Sequence, residues 1–453
     1  MIVNTDWSNI DKMNLDACVI FRSPSTFSIT PSGSWEGVLY YSNDGATWQR
    51  VVKDREIQSG TITNDVYSIY MKGINNTVIT GSSSAGWLET ATDDINVYGN
   101  IETLLDYRTV LSGQHPTMND YAFYKMFSNW SDLVSSPSLP ARSLSNYCYA
   151  FMFDSCTSLT TAPALPALTL ANHCYRSMFR SCSSLIATPA LPATTLAEYC
   201  YHYMFRGCTS LTTVPASLPV TTLKKYCYTG MFRLCRSLTT APSLPATSLK
   251  NADACYADMF NGCSSLTTAP ALPATTLEDY CYNYMFANCD SLTTAPALPA
   301  TMLEWFCYDS MFSRCTSLTT APALPATMLA TGCYSAMFEY CTSLTTASSL
   351  SSVTSFFYEH SCSNMFAGCT SLTTIPAIPT NRYKSNNAFR GMFWLCKNVK
   401  VSATQDSTYS NFMVTADESA GNDAFKDMFH GTTGPFTGTP VPGVTYYTSN
   451  PVV

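Results

Sequence analysis

The sequence predicts an α+β, mainly β chain: a small N-terminal β-sandwich followed by a solenoid of about twelve units of ~26 residues. Two observations carry this. The dipeptide Met-Phe recurs at Met126, Met152, Met178, Met204, Met231, Met259, Met285, Met311, Met337, Met365, Met392 and Met428, most often 26 residues apart. Residues 1–100 instead alternate in short β-branched and aromatic runs. A repeated unit this short cannot bury its own apolar face, so neighbours must stack into a shared core. The expected division is 1–100 for the β domain, 101–120 for a junction, 121–396 for the array and 397–453 for a last repeat and cap.

In the first hundred residues, strands are expected at FSIT (27–30), GVLYYS (37–42), TWQRVV (47–52), GTIT (60–63), VYSIYMKG (66–73), TVITGS (77–82) and INVYG (95–99). Asn43-Asp44-Gly45 marks a hairpin, because these residues tolerate the positive φ of a tight turn. Trp35, Trp48 and Trp87 are core aromatics or a stacking platform for a ligand. In the junction, Leu104, Leu105 and Tyr107 can seal the first unit. That unit carries Ala122 and Trp130 where later ones have cysteine, so Trp130 is expected to close a core that has no earlier neighbour.

Each unit reads in three parts. YCYxxMFxxC is expected to be a short helical or 3₁₀ turn, its Met and second Cys one turn apart on one side. SLTTAPALP is extended, since proline restricts the preceding residue to β or polyproline geometry. Pro163 and its equivalents cannot donate to a ladder, which makes Thr160-Thr161 the expected hydrogen-bonded centre. ATTL is a second extended piece, anchored by Leu170, Leu196, Leu223 and their equivalents. The pattern decays near the end, where 397–423 inserts a polar stretch before Met428-Phe429.

Most of the twenty cysteines come in pairs seven or eight residues apart, each pair flanking a Met-Phe. Along a helical segment that gap is ~12 Å, too far for a disulfide, and it does not fit zinc-ligand spacing. Free, buried thiols acting as small apolar residues are expected, with disulfides between units as the alternative. The Met stripe, flanked by Phe and Cys, is core rather than a soft-metal channel.

Composition excludes several classes. Charged residues are 12% of the chain and the net charge of −7 is thinly spread, against a nucleic-acid binder, which needs a basic stripe. No run of about 18 apolar residues occurs, so no membrane insertion is expected. The start lacks a basic segment followed by an apolar core, so no secretory signal peptide is expected. His115, His173, His202, His360 and His430 lie far apart, and there is no phosphate loop, nucleophile elbow or recurring carboxylate pair. No catalytic residue, metal site or cofactor is assigned, and the chain is not expected to be an enzyme.

The pattern MFxxCTSLTTAPxLPATTL resembles the BspA-like leucine-rich repeat family over about 120–430. YYSNDGATW (40–48) with INVYGNIETLLDY (95–107) is similar to the lead-in domain of such proteins, and AFKDMFHGTTGPFTGTPVPGVTYYTSNPVV to their terminal cap. The resemblance implies a leucine-rich-repeat-like solenoid of the kind found on bacterial surface proteins and on virions of phages infecting gut bacteria. Pro and Ala stand where the better-known version of the repeat has Ile in the strand.

Within this chain, the offsets that vary between units mark the expected outer face. Arg176, Arg180, His202, Tyr203, Arg206, Lys224, Lys225, Arg233, Tyr284 and Asp309 are the candidate binding residues, His173 and His202 being expected at exposed positions. Basic residues come first along the array and acidic ones later, which reads either as a solvated face or as a binding strip with ends of opposite sign. The expected function is a phage virion structural or surface protein, of head-fibre, tail-fibre or capsid-decoration type. Its N-terminal domain would join other virion proteins, and its solenoid would act as receptor-binding surface toward a bacterial or mucosal glycan or protein. A bacterial cell-surface adhesin is the alternative, and homo-oligomerisation is left open.

Overall fold

A computed structural model describes residues 17–62, 66–82, 85–376, 378, 385–416 and 423–453. The start of the chain on which the signal-peptide reading rests, Thr63 of the GTIT segment, and 417–422 of the polar insertion lie outside the described residues. The chain divides into two compact units, Met1–Thr213 and Val214–Val453.

Among the described residues, the first unit begins with ten strands and one helix. They are β1 (Val19–Ser23), β2 (Ser28–Thr30), β3 (Val38–Ser42), β4 (Gln49–Arg50), β5 (Ile57–Gln58), β6 (Gly60–Ile62), β7 (Val66–Ile74), β8 (Leu88–Glu89), β9 (Ile95–Tyr98), α1 (Thr103–Leu111) and β10 (Leu133–Ser135). One sheet runs β10-β9-β1-β7-β3-β4 with β6 also on β7, and a small one runs β5-β2-β8. The expected hairpin is present: Tyr40 pairs with Arg50 and Tyr41 with Gln49, and Asp44 Oδ1 accepts the N–H groups of Ala46 and Thr47. Two segments differ from expectation. Val19–Ser23 is a central strand, unmarked by alternation because four of its five residues are buried. TVITGS forms no strand; the N–H groups of Ile79 and Thr80 donate instead to Ala122 O at 2.8 and 3.2 Å.

That contact corrects the reading of Trp130 as the end of a stack. The β domain continues into the first repeat. β9 and β10 pair in parallel, Trp87 N–H donates to Met126 O, and the Trp130 indole donates to Trp87 O at 2.7 Å. Phe21 lies 6.0–6.5 Å from the rings of Trp87, Phe127 and Trp130. The core of the sheet and the core of the first repeat are therefore one.

The Met-Phe segments are not helical. From Tyr147 to Cys156, alternate residues face two different hydrogen-bonding partners. The N–H groups of Tyr147, Tyr149, Phe151, Phe153 and Ser155 donate to carbonyls of the next unit at 2.7–3.1 Å, while Cys148, Ala150, Met152, Asp154 and Cys156 donate three residues back. The run is a series of tight turns with every fourth residue in the left-handed region, as at Tyr147 (φ 56), Phe151 (φ 58) and Ser155 (φ 63). Left-handed backbone costs a non-glycine residue about 1–2 kcal/mol, and here hydrogen bonds to the neighbouring unit hold it in place. The same scheme recurs in the second unit, where Tyr282, Phe286 and Asn288 donate to Cys307, Met311 and Ser313.

Stacked turns bring equivalent side chains into columns. Phe127, Phe153, Phe179 and Phe205 stack at 5.5–5.6 Å, and Tyr149, Tyr175 and Tyr201 at 5.9–6.1 Å. Within the second unit, Phe232, Phe260, Phe286, Phe312, Phe338 and Phe366 form a column spaced 5.5–5.8 Å. Each aromatic pair adds about 0.5–1.5 kcal/mol beyond burial. The expected ladder before the proline is present as parallel bridges Thr161–Ala187–Thr213 and Thr240–Thr268–Thr294. The second extended piece pairs Thr169 with Thr195 and Ser248 with Thr276.

The Phe column of the second unit ends against Phe436 and Tyr446, both within 6.2 Å of Phe429. Around it lies a three-stranded sheet of β11 (Val401–Ser402), β12 (Asn411–Thr415) and β13 (Thr445–Thr448), in the order β11-β13-β12. Asn450 ties it to the repeats, accepting from Lys400 N and donating to Thr373 O and Asn398 O.

All twenty cysteines are buried, and none is joined in a disulfide. The second thiol of a pair donates to the Phe carbonyl of the preceding unit, Cys156 to Phe127 at 3.0 Å and Cys289 to Phe260 at 3.2 Å. Burial pushes the thiols of Cys148 and Cys281 up to about 12, so the reactive thiolate is scarce at neutral pH. A maleimide at neutral pH is therefore expected to label almost none of them in native protein and all after denaturation. Rapid native labelling, or cysteine-linked peptides by mass spectrometry, would contradict this packing.

Candidate functional site

A turn run sends side chains alternately into the stack and out of it, so variation between units does not by itself mean exposure. Ser177, Thr229 and Ser310 vary yet are buried. His202 is also buried, 8% exposed, contrary to its expected exposed position, and His173 is half-buried. Small polar groups fit such places because neighbouring backbone satisfies them, as Ala254 O accepts the Thr229 hydroxyl.

Five of the candidate residues lie in the first unit. Arg176 sits between the rings of Phe151 and Tyr199, at 5.8 and 6.0 Å. Arg180 grips Asp154 of the preceding repeat through two hydrogen bonds, Nε to Oδ1 at 2.8 Å and Nη2 to Oδ2 at 2.5 Å. Its charge is thereby spent within the scaffold. His202 meets Tyr199 and Tyr203 edge-on, at 5.4 and 4.2 Å, and Arg206 covers Tyr203 at 5.5 Å. Burial, with Arg176 and then His173 adding to it, holds the His202 imidazole down at about 3; burial and Arg176 hold His173 at about 4. Both are neutral at physiological pH. Tyr121, Tyr147, His173 and Tyr199 form an outer aromatic column spaced 4.2–4.6 Å, which the sequence reading did not single out.

The other five lie in the second unit. Lys224 and Lys225 are exposed, Lys225 Nζ reaching Asp253 at 2.7 Å. Arg233 pairs with Asp258 at 3.0 Å. Asp309 is half-buried and accepts from Asn283 Nδ2 at 2.8 Å; burial raises its carboxyl to about 6. Tyr284, 41% exposed, lines a cleft of about 710 Å³ together with Arg233. Arg236, Asn261, Asn288 and Asp290 share that cleft and were absent from the candidate set. No single residue of the sequence marks it, since Gly207, Gly368 and Gly431 stand at the same offset as Gly262.

Among the described residues, no group of three His, Cys, Asp or Glu side chains could hold a metal, and no helix is long and apolar enough to cross a membrane. Stacked turn-built repeats with a fixed core and a changing outer set of Arg, Tyr, His, Asn and Asp define a stacked-repeat scaffold. The chain belongs to the BspA-type leucine-rich repeat family: the six-copy repeat region of that family matches residues 116–267, 201–319, 244–360 and 279–412. That family is one of surface and adhesin-type repeat proteins. No curated protein and no solved structure matches the chain.

Proposed function

We propose that this chain is a non-enzymatic surface protein of a phage particle, a fibre or decoration component, recognising a bacterial or mucosal surface through the side chains on its turn runs. In this reading the N-terminal sheets form a sandwich-like domain that joins other virion proteins. The repeats form one solenoid of about twelve units that meets a surface glycan or protein. Family membership supports the surface role. The observation that favours a virion over an exported adhesin is that the twenty buried cysteines form no disulfides. Structural disulfides belong to oxidising compartments, and a virion protein folds in the reducing cytosol of its host.

Immunogold labelling with antibody raised against the array tests this. Gold on purified particles and none on envelopes of uninfected cells is the expected result. Gold on envelopes alone would replace the virion reading with the adhesin one, and gold on neither would remove both.

A further inference from the structure

Resting on that surface reading, we infer that the cleft at Gly262 in the second unit is a saccharide-binding subsite. Three positions after each Met, the backbone turns left-handed, and Ser155, Leu234 and Asn288 each carry a side chain there at φ 60–63. Gly262, at φ 76, carries none, as do Gly207, Gly368 and Gly431 at the same offset; the Leu234 side chain folds over it, and both line a cleft that reaches Asn288. The cleft volume of about 710 Å³ falls within the ~300–1,000 Å³ of ordinary ligand sites.

The floor is a fixed polar row crossing three repeats. Arg233 Nη1 donates to Asp258 Oδ2 at 3.0 Å, Asn261 Nδ2 to Asp258 Oδ1 at 2.7 Å, and Asn288 Nδ2 to Asn261 Oδ1 at 3.1 Å. These groups are held before any ligand arrives, which lowers the ordering cost of binding. Charges cancel within the row, and the exposed Arg236 and Asp290 of the lining are also of opposite sign. A cleft without net charge does not select a polyphosphate or a polycation. It suits a ligand whose groups both donate and accept, and a hydroxyl does both. Tyr284 adds an exposed ring with an apolar face and a polar tip, suited to the C–H face of a sugar. Balanced polar floor and aromatic wall together describe a neutral or zwitterionic oligosaccharide.

The test exposes full-length protein to a microarray of neutral, acidic and aminated oligosaccharides, then titrates the free form of the best-retained one. Two variants are compared. Gly262→Asn adds a side chain that must push the Leu234 methyl aside in the cleft lining, at an offset where Asn288 shows that asparagine is accepted, and Tyr284→Ala removes the ring. Retention by neutral or zwitterionic sugars, weakened about tenfold or more by each variant, is expected. No retention on any sugar, or retention unchanged by both variants, overturns the subsite. Binding to whole cells, measured in parallel, separates the two levels of the proposal. Cell binding that survives Gly262→Asn and enzymatic removal of surface glycans points to a protein receptor; it overturns the subsite and leaves surface recognition standing. Wild-type protein that binds neither cells nor sugars overturns both.

Discussion

Trp130→Ala is expected to destabilise the first compact unit by about 3–5 kcal/mol, the usual result of truncating a fully buried aromatic. The indole is 1% exposed and lies among Phe21, Phe127 and Trp87, so its loss leaves a cavity bounded by both the sheet and the first repeat. It also leaves Trp87 O without the 2.7 Å indole hydrogen bond, adding about 1 kcal/mol. Against a domain stability of about 5–15 kcal/mol this is a large fraction. Trp305→Ala is the matched control. That ring is 57% exposed, and its removal should cost under about 0.5 kcal/mol. Urea unfolding of both variants at neutral pH gives the comparison. A Trp130→Ala loss below about 1 kcal/mol would mean that sheet and first repeat do not share a core. The same logic predicts that a chain starting at residue 101 aggregates, because it exposes Phe127 and Trp130.

The repeat was legible because the core repeats almost without error, so period, stacking direction and the Thr ladder before the proline could all be read from one chain. The turn runs were not. Cys148, Met152 and Cys156 lie four apart, which imitates the i, i+4 spacing of a helix, yet the true period is four and the backbone reverses hand at every fourth residue. The correct signal was present at the left-handed offsets. They are occupied in some units by Gly207, Gly230, Gly262, Gly368, Gly391 and Gly431 and in others by Asn129, Asn288, Asn364 and Asn387. Glycine and asparagine returning at fixed offsets indicate positive φ, not helix. In the β domain, Val19–Ser23 escaped because a strand buried on both faces loses its alternation.

The candidate surface was only partly legible for a related reason. Equating variation with exposure assumes that a core tolerates no polarity, but each turn run has inward places where backbone satisfies a small or neutral polar group. It also hid the pairing of charges: Arg180 and Arg233 look like free cations in sequence and are held by Asp154 and Asp258 one repeat away.

The burial of His202 has its largest consequence in acid. Its folded value of about 3 lies below the ~6.5 of an unfolded imidazole. Above pH 6.5 both states are neutral and the residue contributes no pH dependence. As pH falls below 6.5 the unfolded chain takes up a proton that the folded chain refuses, so stability declines until about pH 3, where the folded imidazole also protonates. At pH 5 the loss is about 2 kcal/mol, because 1.5 pH units below the unfolded value correspond to about 1.36 kcal/mol each. Arg176 and His173, the charged and titratable neighbours that depress it, act in the same direction. His202→Ala is structurally mild, since the same offset holds Ala150 and Ala257 in other repeats. Urea unfolding at pH 7 and pH 5 should show a wild-type loss exceeding that of His202→Ala by about 2 kcal/mol, with other carboxylates and His173 cancelling to first order. Equal losses in the two proteins would mean that the folded imidazole accepts a proton freely and is not buried among Tyr199, Tyr203 and Arg176.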